Sequence, residues 1–436
     1  MKSIDHSTEE RQFHTKVQQD FRWNFTANAL DSALFWLGLS FAAPATIMPL
    51  YVRHLTDSQL LLGLIGTIGG AGWYLPQLLT ANYIERLPRK KPVVVNIGFF
   101  SERLPILVMS ASTFLFAATS PSLALRLFFL AWTWHTVGAG MIAVAWQEMF
   151  ARVIPVHYRG RLLGIANFAG TASGIVGAAL SAALLERYAY PLNFALCFAL
   201  AFAFMLLGWF SMALTREPPL HSAKPPTSLS DYWRRLPIVL RKDSNFGAYV
   251  LARILTVLAR MGTGFLTVYS AERWHLSDSQ AGLYTTVMVL GQAVGNLSLG
   301  PLADRRGHKL VLEISLALSA LGMLAAVLAP SPVWMNVVFA AVGAMTAADI
   351  ISMIGIVMEF AEPEDRPTYL GLANTIPGLF AAVAPLIGAS IAARTNYRAM
   401  FFMATMLSLI AWGTMHSRVV EPRAAHPQHR GQDDGS

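Results

Sequence analysis

Charge is scarce in this 436-residue sequence: 13% of its residues are Asp, Glu, Lys or Arg, against roughly 25% in soluble domains. That deficit excludes a chain whose outer surface meets mainly water. A soluble helical protein would need amphipathic periodicity and charged outer faces, yet stretches such as 196–207 and 316–329 carry no charge on any face. Cysteine is nearly absent. The single Cys197 lies inside an apolar run, so neither an intrachain disulfide nor a cysteine metal site is available. The first 22 residues hold no apolar run, and no secretory signal peptide is expected. A GxxxxGK(S/T) phosphate loop is missing, which leaves ATP-driven pumping without support. Neither a convergent catalytic set nor a group of metal ligands is visible, so no enzyme activity, metal or cofactor is expected.

What the sequence has in quantity is apolar length, 54% of its residues being hydrophobic. A bilayer span needs about 20 mainly apolar residues. Such stretches recur at 27–51, 59–81, 92–117, 122–149, 160–185 and 190–213, then at 246–270, 280–301, 309–329, 332–359, 368–392 and 397–416. The expected fold is therefore an all-α membrane protein of twelve transmembrane helices, numbered here spans 1 to 12. The domains follow: a tail at 1–26, a six-helix bundle at 27–213, a linker at 214–245, a second bundle at 246–416 and a tail at 417–436.

The net charge of +8 could suit nucleic acid, but its distribution argues against that partner. An even number of spans places both termini on one side, and tails and loops on that side hold 24 of the 33 Lys and Arg. The opposite side holds 6 (Arg53, Arg126, Arg187, Arg273, Arg394 and Arg398), and 3 lie within spans (Arg103, Arg253 and Arg260). By the positive-inside rule both termini are cytoplasmic, in a multi-pass protein of the cell membrane. The linker opens with the proline-rich REPPLHSAKPPTS, for which no regular structure is expected. It continues as SDYWRRLPIVLRK, which reads either as a segment lying on anionic membrane lipid or as a solvated connection.

The halves repeat each other. HLTDSQ at 54–59 returns as HLSDSQ at 275–280, an offset of 221. Farther on the offset becomes 207, and Arg159, Leu163, Gly164, Asn167, Arg187 and Tyr190 match Arg366, Leu370, Gly371, Asn374, Arg394 and Tyr397. Duplication explains these matches. Equivalent segments fall on spans of the same parity, so the halves share an orientation.

GPLADRRGHK at 300–309, between spans 8 and 9, resembles the signature loop of the major facilitator superfamily, which recurs after the second span of each half. ANYIERLPRKK at 81–91 stands at the equivalent place, with Glu85 and Arg86 for Asp304 and Arg305 and with Pro88 for the glycine; IPVHYRGRLLG at 154–164 resembles the loop between spans 4 and 5. Gly307 permits a backbone reversal that a Cβ resists, and Asp304 offers a carboxylate to a helix N-terminus. The resemblance, covering about 25–416, implies a secondary transporter of a small solute working by alternating access, as a monomer. It implies that Gly300, Asp304, Arg305 and Gly307 form one gate element, Asp304 facing the start of span 5 near Arg159. Glu85 and Arg86 form the other, Glu85 facing the start of span 11 near Arg366. It implies also that spans 1, 4, 7 and 10 line a central cavity and that 3, 6, 9 and 12 lie outside. GTASGIVGA at 170–178 lacks the proline of the drug exporters' span-5 signature. Its glycines suit close helix packing.

Ionisable residues inside spans are costly and therefore candidates for function. On the implied map Asp31, His135, Arg253, Arg260 and Asp349 are cavity candidates. Asn24, Asn28 and Asp31 form a stripe at helical spacing, and Asp31 is a proton site if that stripe meets the cavity, a hydrated structural residue otherwise. His135 suits a proton relay or a packed hydrogen-bonding role. Arg253 and Arg260 lie two turns apart on the face of Tyr249 and Thr256, where they attract an anionic substrate or a carboxylate. Asp349 is the expected partner, since it and Arg253 lie at similar depth. Glu102 and Arg103 point about 100° apart on an α-helix and are expected to seek partners on other helices. Glu148 reads as a gate carboxylate or a solvated one. Function is expected to be proton-coupled secondary transport. The alternatives are a facilitative uniporter and a transport-inactive sensor or scaffold on the same fold.

Overall fold

The computed structural model describes residues 13, 15–85, 87–219, 243–360 and 366–422. Their regular structure is helical. Span 1 consists of α1 (Phe21–Phe41) and α2 (Ile47–Leu55), span 2 of α3 (Gln59–Glu85), and span 3 of two π-helical turns (Val93–Ile97, Phe99–Arg103) followed by α4 (Leu104–Phe116). Spans 4, 5 and 6 are α5 (Pro121–Val153), α6 (Val156–Arg187) and α7 (Leu192–Ala213). Span 7 is α8 (Ser244–Ala259), a 3-10 turn (Arg260–Phe265) and α9 (Leu266–Trp274). Spans 8 to 12 are α10 (Asp278–Arg306), α11 (His308–Leu328), α12 (Trp334–Phe360), α13 (Arg366–Arg394) and α14 (Tyr397–Arg418). Ten helices among the described residues are long and apolar enough to cross a membrane. The two further expected spans correspond to interrupted span 1 and to α3.

Both breaks have local causes. Between α1 and α2 stands Pro44, which lacks the N–H that would continue the ladder. Span 7 tightens over Arg260–Phe265, where Gly262 and Gly264 lower the cost of leaving α geometry. Helix ends are fixed by side chains: Asp243 Oδ1 accepts from the Phe246 N–H at 2.9 Å, and Asn396 Oδ1 from the Ala399 N–H at 2.9 Å. Gly307 turns between spans 8 and 9 at φ +91°, the reversal expected of it.

Two compact units emerge. The first comprises Met1–Asp57, Ile68–Pro226 and Ser277–Thr286; the second comprises Ser58–Thr67, Thr227–Leu276 and Val287–Ser436. Within the first, span 5 packs its small face on span 1, as expected: a Cβ at Gly170 would lie 2.6 Å from Trp36 and one at Gly177 2.0 Å from Ser40. Within the second, span 11 meets span 7 in the same manner, a Cβ at Gly388 falling 2.6 Å from the Met261 carbonyl. Phe246, Tyr249, Leu316, Phe360 and Met415 are among the buried residues of the second unit's core, and Met149, Val153, Leu162 and Met212 among those of the first. The start of span 2 (Ser58–Thr67) groups with the second unit and the start of span 8 (Ser277–Thr286), its counterpart in the repeat, with the first.

Candidate functional site

Within the second unit, spans 7, 9 and 10 bring three charges together. Asp349 Oδ2 lies 2.5 Å from Arg260 Nη2 and 3.6 Å from Arg253 Nη1. Its other oxygen accepts from Ser315 Oγ at 3.3 Å. Arg253 also reaches the sulfur of Met353. The cluster assembles because two arginines seven residues apart face one side of span 7, and an unpaired charge in an apolar span is penalised. Arg253 and Asp349 are buried, whereas 29% of the Arg260 side chain stays exposed.

Spans 1, 3 and 4 assemble a second cluster in the first unit. Glu102 and Arg103 pair with each other, a correction to the expectation that each would seek its partner on another helix. The reason is the π-helical turn Phe99–Arg103: i→i+5 bonding widens the turn and brings successive side chains closer in angle than an α-helix does. His135 Nδ1 lies 2.6 Å from the Glu102 carbonyl oxygen, and its ring stacks 5.4 Å from Trp132. The Arg103 guanidinium sits over Phe35 at 5.8 Å and interacts electrostatically with Asp31. Among the described residues Asp31 Oδ1 is buried without a hydrogen-bond partner. The stripe expected along span 1 exists, and it turns toward span 6. Asn28 Nδ2 donates to Thr215 Oγ1 at 3.3 Å, and a Cβ at Gly208 would lie 3.2 Å from Asp31 Oδ1.

The two clusters are opposite in sign. Asp31 and Glu102 against Arg103 leave one negative charge in the first unit, and Arg253 and Arg260 against Asp349 leave one positive charge in the second.

Sequence reasoning missed a third arrangement, which the two units share. Glu217, just after span 6, has a fully buried carboxylate that accepts from the Lys90 N–H at 2.8 Å and the Lys91 N–H at 2.7 Å, with Arg152 3.9 Å away. It caps the N-terminus of span 3. Asn24 holds the preceding residue by both backbone groups, accepting from the Arg216 N–H at 2.7 Å and donating to its carbonyl at 2.9 Å. In the second unit Glu421 accepts from the Lys309 N–H at 3.1 Å, and Asn245 accepts from the Val420 N–H at 2.7 Å and donates to its carbonyl at 2.9 Å. Asn24 and Asn245 stand at the offset of 221, and both glutamates precede a proline. Those were the signals available. Lys90, counted among the topology charges, has a buried side chain that pairs with Glu148 at 3.0 Å. Partial burial pulls the Lys91 ammonium below the usual lysine range, opposed by Glu217.

Of the gate candidates, Asp304 and Arg305 are exposed at the end of span 8 and Gly300 lies in open space, while Gly307 sits against Glu421. Arg86 and the side chains of Glu85, Arg159 and Arg366 lie outside the described residues, as does most of the linker.

The Major Facilitator Superfamily sequence model matches residues 33–251 and again 249–434. An uncharacterised MFS-type transporter of Enterobacter sp. (strain 638) is 26% identical over 296 residues, 67% of this chain and 70% of that one. The MFS-type transporter oryF of Aspergillus oryzae is 27% identical over 161 residues, a match spanning 35% of this chain and about a third (34%) of that relative. Among solved structures, the xylose transporter XylE from E. coli, in a partially occluded inward-open conformation, has a TM-score of 0.67 at 14% identity, covering 92% of this chain and 98% of that one. The nucleoside transporter NupG has a TM-score of 0.62 at 11% identity, covering 91% and 99%. These structural likenesses carry the fold.

Proposed function

Because the chain belongs to the major facilitator superfamily and is a multi-pass membrane transporter, we propose that it is a secondary active transporter that moves a small solute by alternating access and couples the movement to protons. The observation that carries the coupling is Asp31, a buried carboxylate with one oxygen that lacks a hydrogen-bond partner and with Arg103 as its electrostatic neighbour. Such a carboxylate takes a proton without losing an existing bond. Protonation leaves Arg103 to Glu102 alone, and two arrangements of one ion-pair network favoured by different ligands are what alternating access requires. His135 positions the pair through the Glu102 carbonyl.

Replacing Asp31 by Asn tests the coupling. In proteoliposomes screened with sugars, organic anions, peptides and lipophilic cations, Asp31→Asn is expected to lose accumulation driven by a pH gradient while keeping solute exchange. Accumulation equal to wild type would reject Asp31 as the proton site. A uniporter would show no gradient-driven accumulation in either protein, and a sensor or scaffold would move no solute.

The proposed topology has both termini and the linker in the cytoplasm, supported by the excess of Lys and Arg on that side. Cys197 is buried, so a cysteine placed at Ser222 should dominate maleimide labelling. It is expected to react from the cytoplasmic face of membrane vesicles and to stay unlabelled in intact cells. Labelling from outside alone would invert the topology.

A further inference from the structure

We propose that the second unit binds a small organic monoanion, a carboxylate, at the 3-10 turn of span 7, with Arg260 and Thr263 as its donors. The proposal rests on the transporter reading and specifies its substrate class. Three observations carry it.

The first is charge. Arg253 and Arg260 share one carboxylate, Asp349, whose second oxygen is occupied by Ser315. The three residues together carry one positive charge in excess, inside a span where ions are heavily penalised. A monovalent anion neutralises it, a neutral solute leaves it, and a dianion overcompensates.

The second is unused donor capacity on one face. A guanidinium offers five N–H donors in a planar fork. Arg260 turns Nη2 to Asp349, and among the described residues its Nε has no hydrogen-bond partner. Side chains three residues apart eclipse in a 3-10 turn, so Thr263 stands over Arg260. Its Oγ1 is also buried without a partner. In an α-helix the two positions would be offset, and the tightened turn is what aligns them.

The third is room. A Cβ built at Gly264 meets no atom within 4 Å, and Arg260 is the exposed member of its cluster. On the donor face itself Thr263, like Arg260, is only partly buried, so that face keeps access of its own. Asp349 is the internal competitor, because an incoming carboxylate takes the guanidinium edge that Asp349 now shares.

The test uses the purified full-length protein in detergent, titrated with acetate, hexanoate and benzoate against benzamide and inorganic phosphate at constant ionic strength. At least one monocarboxylate is expected to raise the melting temperature saturably, with benzamide and phosphate inert. Arg260→Gln should weaken that binding about tenfold or more, and Thr263→Val about threefold. Arg260→Lys should recover only part, since it restores charge without the fork. Asp349→Asn should tighten binding, a direction that a purely structural role for the cluster does not produce. Equal binding by Arg260→Gln, equal binding of benzamide, or failure of all three carboxylates overturns the site. If carboxylates fail while proteoliposomes still move another solute, the anion site falls and the transporter stands. Carboxylate binding with no solute movement in those vesicles has the reverse meaning.

Discussion

Glu217→Ala is expected to cost the first unit about 3–5 kcal/mol, the range for removing one partner from a buried ionic contact. In detergent the protein should melt lower by on the order of 10 °C. The size follows from what the carboxylate satisfies: the backbone N–H groups of Lys90 and Lys91 at the start of span 3, with the Arg152 guanidinium 3.9 Å away. Alanine leaves those two N–H groups without their acceptor and takes from Arg152 its nearby carboxylate, while the Lys90 ammonium keeps Glu148. Glu217→Gln keeps one acceptor oxygen and should lose about half as much. Glu421→Ala removes the corresponding acceptor in the second unit, and because that half-buried carboxylate accepts from the Lys309 N–H at 3.1 Å the loss there should be smaller. Melting curves for Glu217→Ala that overlay the wild type would show that Glu217 is no structural anchor.

A second large effect is expected at Gly343. A Cβ there would lie 1.9 Å from the carbonyl oxygen of Met288 and 2.7 Å from the backbone nitrogen of Gln292. Both atoms belong to backbone, which cannot swing aside as a side chain does. Gly343→Val should therefore separate spans 8 and 10, costing more than the roughly 1–3 kcal/mol of ordinary overpacking and leaving little folded protein in the membrane. Gly413→Ala is the control. No atom lies within 4 Å of its added Cβ, so the substitution should stabilise span 12 by up to about 1 kcal/mol through helix propensity. Comparable yields of the two variants by size-exclusion chromatography would refute the close crossing.

The spans were legible because burial in lipid demands apolar length and leaves charge only at the loops. The Arg253–Asp349 pairing was legible too, since depth along two helices follows from residue counting alone. Direction was harder. Asn24, Asn28 and Asp31 announce a polar stripe, but nothing within span 1 says which neighbours it meets: Asn28 reaches Thr215 just after span 6, and Asp31 has Gly208 of span 6 and Arg103 of span 3 beside it. The Glu102–Arg103 pair was hidden because the reading assumed α geometry, and no residue in VVVNIGFFSER announces two π turns. The glutamate caps escaped notice because loop charges had already been explained by topology. One role obscured another, although Asn24 and Asn245 stood at the offset that HLTDSQ and HLSDSQ had established.

The π turns also bear on how this chain should be compared with others. Each one advances the chain without completing the rotation an α turn would give, so together they act as a phase shifter between the Glu217-bound start of span 3 and the Glu102–Arg103 pair. Deleting a single residue between 93 and 99 would leave the hydropathy profile almost untouched and the span long enough to cross a bilayer. It would nonetheless change how far one functional end is turned against the other, by a step smaller than the α-helix's roughly 100° per residue. Relatives one residue shorter here should place their charged pair at a different step of the helix. Column-by-column alignment through this stretch would then mistake a conserved geometry for a lost one.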